Sequence, residues 1–244
     1  MNDEIIAIVP ARANSKTVKH KNVRMLRKHP VLAYSIMVAK KSKYIDNVFV
    51  STDSENYASL AKQYGAEVPF LRPDHLASDT ATDIDVMLHF LEWYKSHHGK
   101  LPKYLVHLRP TTPLRDPVII DRAINTIITT KKKCTALRSV HEMSETAYKC
   151  FEIDDCYLKT IKDNLFDLEK ANDVRQHYPK TYHANGYVDI LKTDYVLQKK
   201  KTHGDKVLHY LTDHTVEIDT EEDFAYLEYQ ITKKQELFKQ LFEN

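Results

Sequence analysis

After a polar start the chain runs into Ile5-Ile6-Ala7-Ile8-Val9, an unbroken apolar stretch rich in β-branched residues. A run this short and continuous predicts a strand buried on both faces, as in a parallel sheet. Val31 to Lys43 carries apolar side chains at helical spacing, and Val48-Phe49-Val50 predicts a second strand. Ser54 or Asp53 can cap a helix through Tyr64, which Gly65 ends, and a short strand is expected near Glu67 to Phe70. The alternation then repeats. Asp79-Thr80 is expected to cap a long helix reaching about Ser96, Tyr104 to Leu108 reads as a strand, and Pro117 suits the first turn of another helix. Thr135 to Val140, Tyr182 to Leu191 and Thr215 to Ile218 read as further strands, and a single helix from Glu221 to about Phe242 closes the chain.

Strands alternating with helices predict an α/β fold, a doubly wound and mostly parallel sheet in one domain over residues 1–244. Residues 141–180 interrupt this order. Their periodicity is poor, and they read as an excursion from the sheet. Composition adds little to the fold: 42% hydrophobic and 29% charged residues are ordinary for a globular chain. No apolar run approaches the roughly 20 residues of a membrane span. Cys134, Cys150 and Cys156 are odd in number and lack metal-ligand spacing, so they are expected as reduced, buried thiols in a cytoplasmic protein.

Charge placement is more informative than the net charge of +2. Between Glu4 and Asp46 no acidic residue occurs while ten Lys or Arg do, and acidic groups gather at Glu217, Asp219, Glu221, Glu222 and Asp223. A basic block at one end suggests a polyanion site. It lacks the interleaved aromatics of a single-strand binding platform, which favours a nucleoside triphosphate over nucleic acid. Only four glycines occur and none falls between the first strand and the next helix, so neither a dinucleotide-binding G-x-G-x-x-G nor a Walker A loop is present. No nucleophile elbow supports hydrolase chemistry.

The densest chemistry lies in Val9-Pro10-Ala11-Arg12-Ala13-Asn14-Ser15-Lys16 with Lys21-Asn22, at the carboxyl end of the first strand, where open α/β sheets bind ligands. Arg12, Lys16 and Lys21 can neutralise charge developing on a leaving pyrophosphate. At the other end of the chain Glu217 and Asp219 alternate with Val216 and Ile218. They are expected on one strand face, where two carboxylates suffice to place Mg2+ opposite a triphosphate.

The A-R-x-N-S-K motif with Lys21-Asn22 resembles the signature of the CMP-sialic acid synthetase (acylneuraminate cytidylyltransferase) family in its bacterial form. The similarity continues in order through Ser51-Thr52-Asp53-Ser54, Leu71-Arg72-Pro73, Asp79-Thr80-Ala81-Thr82, Pro110-Thr111-Thr112-Pro113-Leu114-Arg115, Arg175-Gln176, Asn185-Gly186 and Ile218-Asp219-Thr220-Glu221. The resemblance implies a three-layer nucleotidyltransferase-like sandwich that joins CTP to the anomeric hydroxyl of a 2-keto sugar acid, giving a CMP-sugar and pyrophosphate with magnesium assistance. It implies that Arg12, Lys16 and Lys21 hold the triphosphate, with Asp219 completing the catalytic set. Ala11, Asn14, Ser15, Asn22, Arg72, Asp79, Thr80 and Thr82 would serve the nucleotide. Pro110, Thr111, Lys149, Arg175, Gln176, Asn185 and Gly186 would serve the sugar, joined by Arg109 and Asp189 from their positions alone, while Arg115 would be structural. The excursion over 141–180 would exchange contacts across a homodimer.

Three positions depart from the family pattern. Glu217 stands where Asp is usual, Arg109 replaces a glutamine, and Asp189 replaces a tyrosine. Asn185 and Asp189, four apart on a strand, are expected to share a face. The new cation and the new anion are therefore expected near the acceptor, with a pair between Arg109 and Asp189 as the alternative. A phosphate acceptor would also want a cation, so Arg109 keeps open a second function, a sugar-1-phosphate nucleotidyltransferase using another nucleotide such as GTP.

Overall fold

Alternation along the first strand sets the layers. In β1 (Ile5–Pro10), Ile5, Ala7 and Val9 enter one buried cluster while Ile6 and Ile8 enter another. The computed structural model describes residues 3–13, 18–161 and 167–243. After β1 come a small antiparallel pair, β2 (Met25–Leu26) and β3 (His29–Pro30), then α1 (Val31–Lys41), β4 (Asn47–Ser51), α2 (Glu55–Gln63), α3 (Asp74–Ala77) and α4 (Asp83–His98). The chain continues through β5 (Tyr104–His107), α5 (Pro117–Thr129), β6 (Ala136–Glu142), β7 (Phe151–Asp154) and β8 (Tyr157–Thr160). It closes with β9 (Tyr182–Lys192), α6 (Thr193–Lys199), β10 (Val207–Leu211), α7 (Glu221–Lys233) and α8 (Gln235–Phe242).

Among the described residues the main sheet has six strands in the order β10-β6-β9-β5-β1-β4. All neighbours are parallel except around β9, which runs antiparallel to both β5 and β6. The layers follow from the two clusters: α1, α2, α5, α7 and α8 cover one face, and α4 and α6 cover the other. This is the mostly parallel α/β sandwich the pattern predicts, and no described helix is long and apolar enough to cross a membrane.

Several elements differ from the sequence reading. The cap of α4 is Thr82, not Asp79-Thr80; Thr82 and Asp85 satisfy each other's backbone groups in a capping box. Residues 67–71 contribute isolated bridges, not a strand. Thr215 to Ile218 is not a strand either, although the Ile218 amide donates to the Thr111 carbonyl at 2.8 Å. The closing helix breaks at Lys234 into α7 and α8. Both α6 and β10 are additional; their flank Lys199-Lys200-Lys201 masks a half-buried edge strand. All three cysteines are free as expected, but Cys134 alone is buried and Cys156 is exposed. The excursion is an arm in which, among the described residues, β7 and β8 pair only with each other, flanked by 3-10 turns at Ala147–Lys149, Glu169–Asn172 and Arg175–His177.

Asn185 and Asp189 do not share a face. Gly186 adopts φ +63°, and the register between β6 and β9 shifts between Arg138 and Val140, so the two-residue alternation breaks between them. Arg115, fully buried, seals that break. Its guanidinium donates to the carbonyls of Tyr187, Gly186 and Arg109 and to Ser35 Oγ of α1.

A second buried polar group lies under the carboxyl end of β5. Asp189, 1% exposed, accepts from Arg109 at 2.8 Å, with His203 Nε2 3.4 Å and His107 Nδ1 4.0 Å away. Arg109 spans from Asp189 to Asp83 at the start of α4, also at 2.8 Å. Burial, helped by Arg109, pushes the His107 pKa down to about 4 against the pull of Asp83 and Asp189. For Asp189 burial alone would raise the pKa, but His203, Arg109 and His107 hold it well below the usual carboxylate range.

Both shifts make acid destabilising. Between about pH 6.5 and 4 the unfolded chain protonates His107 while the folded protein keeps it neutral, so stability falls as pH falls through that window. Stability from the Asp189 carboxylate is intact above about pH 4 and lost only at lower pH. Urea unfolding at pH 7 and pH 5 should therefore show a loss of which about 2 kcal/mol comes from His107. His107→Gln should flatten the dependence, whatever its absolute stability; an unchanged pH slope would contradict a neutral buried imidazole.

Candidate active site

The largest set of predicted site residues meets in one cavity of about 440 Å3 at the carboxyl ends of β1 and β5. Arg12, Lys21 and Asn22 enter from the loop after β1, and Arg72 from the segment after α2. Thr82 and Asp83 enter from the start of α4, Arg109, Pro110 and Thr111 from the end of β5, and Glu217 and Asp219 from the segment before α7. A parallel sheet places these ends together because crossover helices return each strand to the same edge. Four cations, Arg12, Lys21, Arg72 and Arg109, thus face three carboxylates, Asp83, Glu217 and Asp219.

The basic loop is pinned before any ligand arrives. Asn22 Nδ2 donates to the Arg12 carbonyl at 2.9 Å, and the buried Lys21 donates to the Ile218 carbonyl at 2.6 Å, with Asp219 Oδ1 3.4 Å from the same nitrogen. These bonds join the first strand's loop to the acidic segment almost two hundred residues later. Arg12 donates to the Ser78 carbonyl at 2.8 Å and pairs with Asp79 at 3.1 Å, which ties the cavity's basic wall to the loop before α4. Arg72, 5% exposed, bonds Ser51 through Nε and Nη2. Burial draws its pKa down to about 10, against the nearby Asp53, and it stays charged at neutral pH.

On the acidic side Glu217 Oε1 accepts from Thr111 Oγ1 at 2.7 Å, whereas the Asp219 side chain is 68% exposed. Gly186 lies beside Glu217. A Cβ there would stand 3.0 Å from Thr112 Oγ1 and 3.7 Å from Glu217 Oε2, so the left-handed glycine also makes room for the carboxylate. Among the described residues no three His, Cys, Asp or Glu side chains converge well enough to hold a metal by themselves. A cation at Glu217 and Asp219 would take the rest of its oxygen shell from water and phosphate, which is how Mg2+ is commonly held.

The remaining predicted residues lie elsewhere. Asn14, Ser15 and Lys16 fall outside the described residues. Ala11 is fully buried, its amide donating to the Ser51 carbonyl. Thr80 is exposed and bonded to Ser78. Lys149, Arg175 and Gln176 sit on the arm: Lys149 donates to the Asp173 carbonyl, Arg175 pairs with Glu142, and Gln176 lines an arm cavity. Asn185 donates to Thr212 Oγ1 and lines a neighbouring cavity, and Asp189 is buried against Arg109. The structure therefore realises the alternative in which Arg109 and Asp189 pair with each other.

Sequence reasoning missed Asp83, at the first position of α4, and three histidines, His141, His183 and His214. These meet at the far side of Glu217 and Asp219, from segments brought together by the pairing of β6 with β9 and with β10.

Comparison with known proteins agrees with this geometry. A model of the cytidylyltransferase family matches residues 6–243. The chain is 34% identical over 226 residues to the N-acylneuraminate cytidylyltransferase of Escherichia coli, covering 92% of this chain and 51% of that longer protein. It is 32% identical over 233 residues to the CMP-N,N'-diacetyllegionaminic acid synthase of Campylobacter jejuni, covering 95% and 96%. A solved CMP:2-keto-3-deoxy-manno-octonic acid synthetase, complexed with CTP, shares the fold with a TM-score of 0.70 at 12% identity, over 95% of this chain and 99% of that one. From matches that run nearly the full length of the sequence, the chain belongs to the cytidylyltransferase family, in its acylneuraminate (CMP-sialic acid synthetase) branch.

Proposed function

We propose that this protein transfers CMP from CTP to a nonulosonic, sialic-acid-like acid, releasing pyrophosphate. The observation that carries this reading is the single cavity in which Arg12, Lys21 and Arg72 face Glu217 and Asp219. A relative named for making the CMP form of a diacetylated legionaminic acid, alike over almost the whole of both chains, supports the acceptor class.

In this reading the acceptor's anomeric hydroxyl oxygen forms a bond to the α-phosphorus. The bond from that phosphorus to the bridging oxygen breaks, pyrophosphate leaves, and the hydroxyl proton passes to solvent. Arg12 exchanges Ser78 and Asp79 for phosphate oxygens, and Lys21 holds the basic loop against the acidic segment while adding its own charge. Lys16 belongs to the same loop by sequence. Arg72 and the Thr82 end of α4 form the nucleotide side of the cavity. Glu217 and Asp219 would hold Mg2+, which when bound supplies positive charge to the triphosphate. A cytoplasmic location belongs to the same proposal, as a compartment that supplies CTP.

The homodimer belongs to the same proposal. The arm exposes Ile153 (78%), Tyr157, Leu158, Ile161 and Val174, an apolar surface that a second copy would cover. Lys149, Arg175 and Gln176 then reach the partner's acceptor side, which accounts for their distance from the cavity of their own chain. Nothing favours the sugar-1-phosphate alternative, because the cation that suggested it, Arg109, is held between Asp83 and Asp189.

Pyrophosphate release measured with each of the four nucleotides and a nonulosonic acid tests the reading; CTP should be preferred. Arg12→Ala should lower turnover by about a hundredfold or more, the cost of one partner to developing charge, and unchanged turnover would remove the basic loop from the mechanism. Asp219→Asn should abolish activity or sharply raise the magnesium requirement, while Glu217→Gln, already bonded to Thr111, should do less. Equal tolerance of the two changes would leave the acidic pair without a metal role. Light scattering at micromolar concentration should give twice the chain mass, and Ile153→Asp should shift it toward the monomer.

A further inference from the structure

Beyond the phosphate cavity, three imidazoles meet. His141 at the end of β6 lies directly opposite His183 at the start of β9, their ring centres 5.7 Å apart. His214, from the segment after β10, sits edge-on to His141 at 4.8 Å. Together they line a cavity of about 370 Å3 whose other wall is Glu217 and Asp219, the same two carboxylates that border the phosphate cavity. A molecule in the histidine cavity therefore lies across the acidic pair from the triphosphate loop, where an acceptor must stand to attack. His141 Nδ1 is buried without a hydrogen-bond partner. A buried polar atom left open beside a cavity is costly unless a ligand or water satisfies it.

We infer that His141, His183 and His214 are specificity-determining residues that bind the neutral, hydroxyl- and acylamino-bearing side of the acceptor. This rests on the cytidylyltransferase reading of the neighbouring cavity. The charge around the cavity separates this from a carboxylate site. Glu217, Asp219 and Asp223 all line it, so a further anion would be repelled. Burial, reinforced by His214 and His183, lowers the His141 pKa, so its ring is neutral at pH 7. A neutral imidazole offers one donor and one acceptor, which matches a hydroxyl or an amide, both of which also carry one of each. The Arg109 wall, expected from sequence to choose the acceptor, is satisfied by its own carboxylates, whereas His141 Nδ1 is not.

The test uses the intact protein with CTP, measuring pyrophosphate release with N,N'-diacetyllegionaminic acid and with N-acetylneuraminic acid as acceptors. His183 and His214 are exposed, so His183→Phe and His214→Phe keep ring size without endangering the fold. Each should raise the acceptor KM about tenfold, as expected for losing a hydrogen bond to substrate, while the CTP KM changes less than about twofold. His183→Gln and His214→Gln, which restore a donor and an acceptor, should recover most of the loss. Unchanged acceptor KM in both Phe variants, or an equal rise in both KM values, overturns the inference while leaving the cytidylyltransferase reading standing. A wild-type enzyme that transfers CMP to neither acid overturns that reading and this inference with it.

Discussion

The site depends on one buried cation that never touches it. Among the described residues Arg115 pairs with no carboxylate and instead gives its donors to three backbone carbonyls and one hydroxyl. Those oxygens belong to the turn after β5, the irregular stretch of β9 and helix α1. Arginine suits this place because its planar fork can reach several acceptors at once and keeps its charge where a lysine would shed it. Without it, the Gly186 and Tyr187 carbonyls would be buried without a donor, a cost of about 1–3 kcal/mol each. The floor under Thr112 and Glu217 would lose its anchor with them. A motif that looks like part of a ligand loop, Pro110 through Arg115, is thus half wall and half bolt.

Much of this was legible in the chain. The strands buried on both faces, the helices between them and the basic loop after β1 follow from period and charge alone, because each is set by residues near one another. The ordered motifs placed Arg12, Lys21, Asn22, Arg72, Thr82, Thr111, Glu217 and Asp219 on one site, and the structure brings all of them to one cavity. What escaped were features decided across the sheet. The break at Gly186 moved Asn185 and Asp189 apart, although alternation would have kept them together. The strand β10 is visible only once β6 supplies its partner. The three histidines, distributed over more than seventy residues of sequence, carry no spacing that would mark them.

The pairing of Arg109 with Asp189 shows how two departures from a family pattern can be one event. Each looks like a new charge aimed at a ligand when considered alone. Together they form an internal salt bridge whose other arm, Asp83, begins a helix lining the cavity. Buried pairs of this kind add little net stability compared with apolar packing, but losing one partner strands the other. The two positions are therefore expected to change jointly, and to alter the orientation of α4 more than the chemistry of the acceptor.

The direction of β9 has a consequence for how the arm can vary. Because β9 runs antiparallel to β6, the chain leaves the sheet at Glu142 and re-enters it at Tyr182, two residues paired in the same ladder. The arm is an inserted loop with adjoining ends, and closing such a loop costs only about 0.6 kcal/mol more for each doubling of its length. Insertions, deletions or wholesale exchange of the segment between those ends leave the six-stranded scaffold and the cavity at the ends of β1 and β5 in register. A body of this design can be fitted with different arms, which changes what the arm contacts and leaves the sheet beneath it as it was.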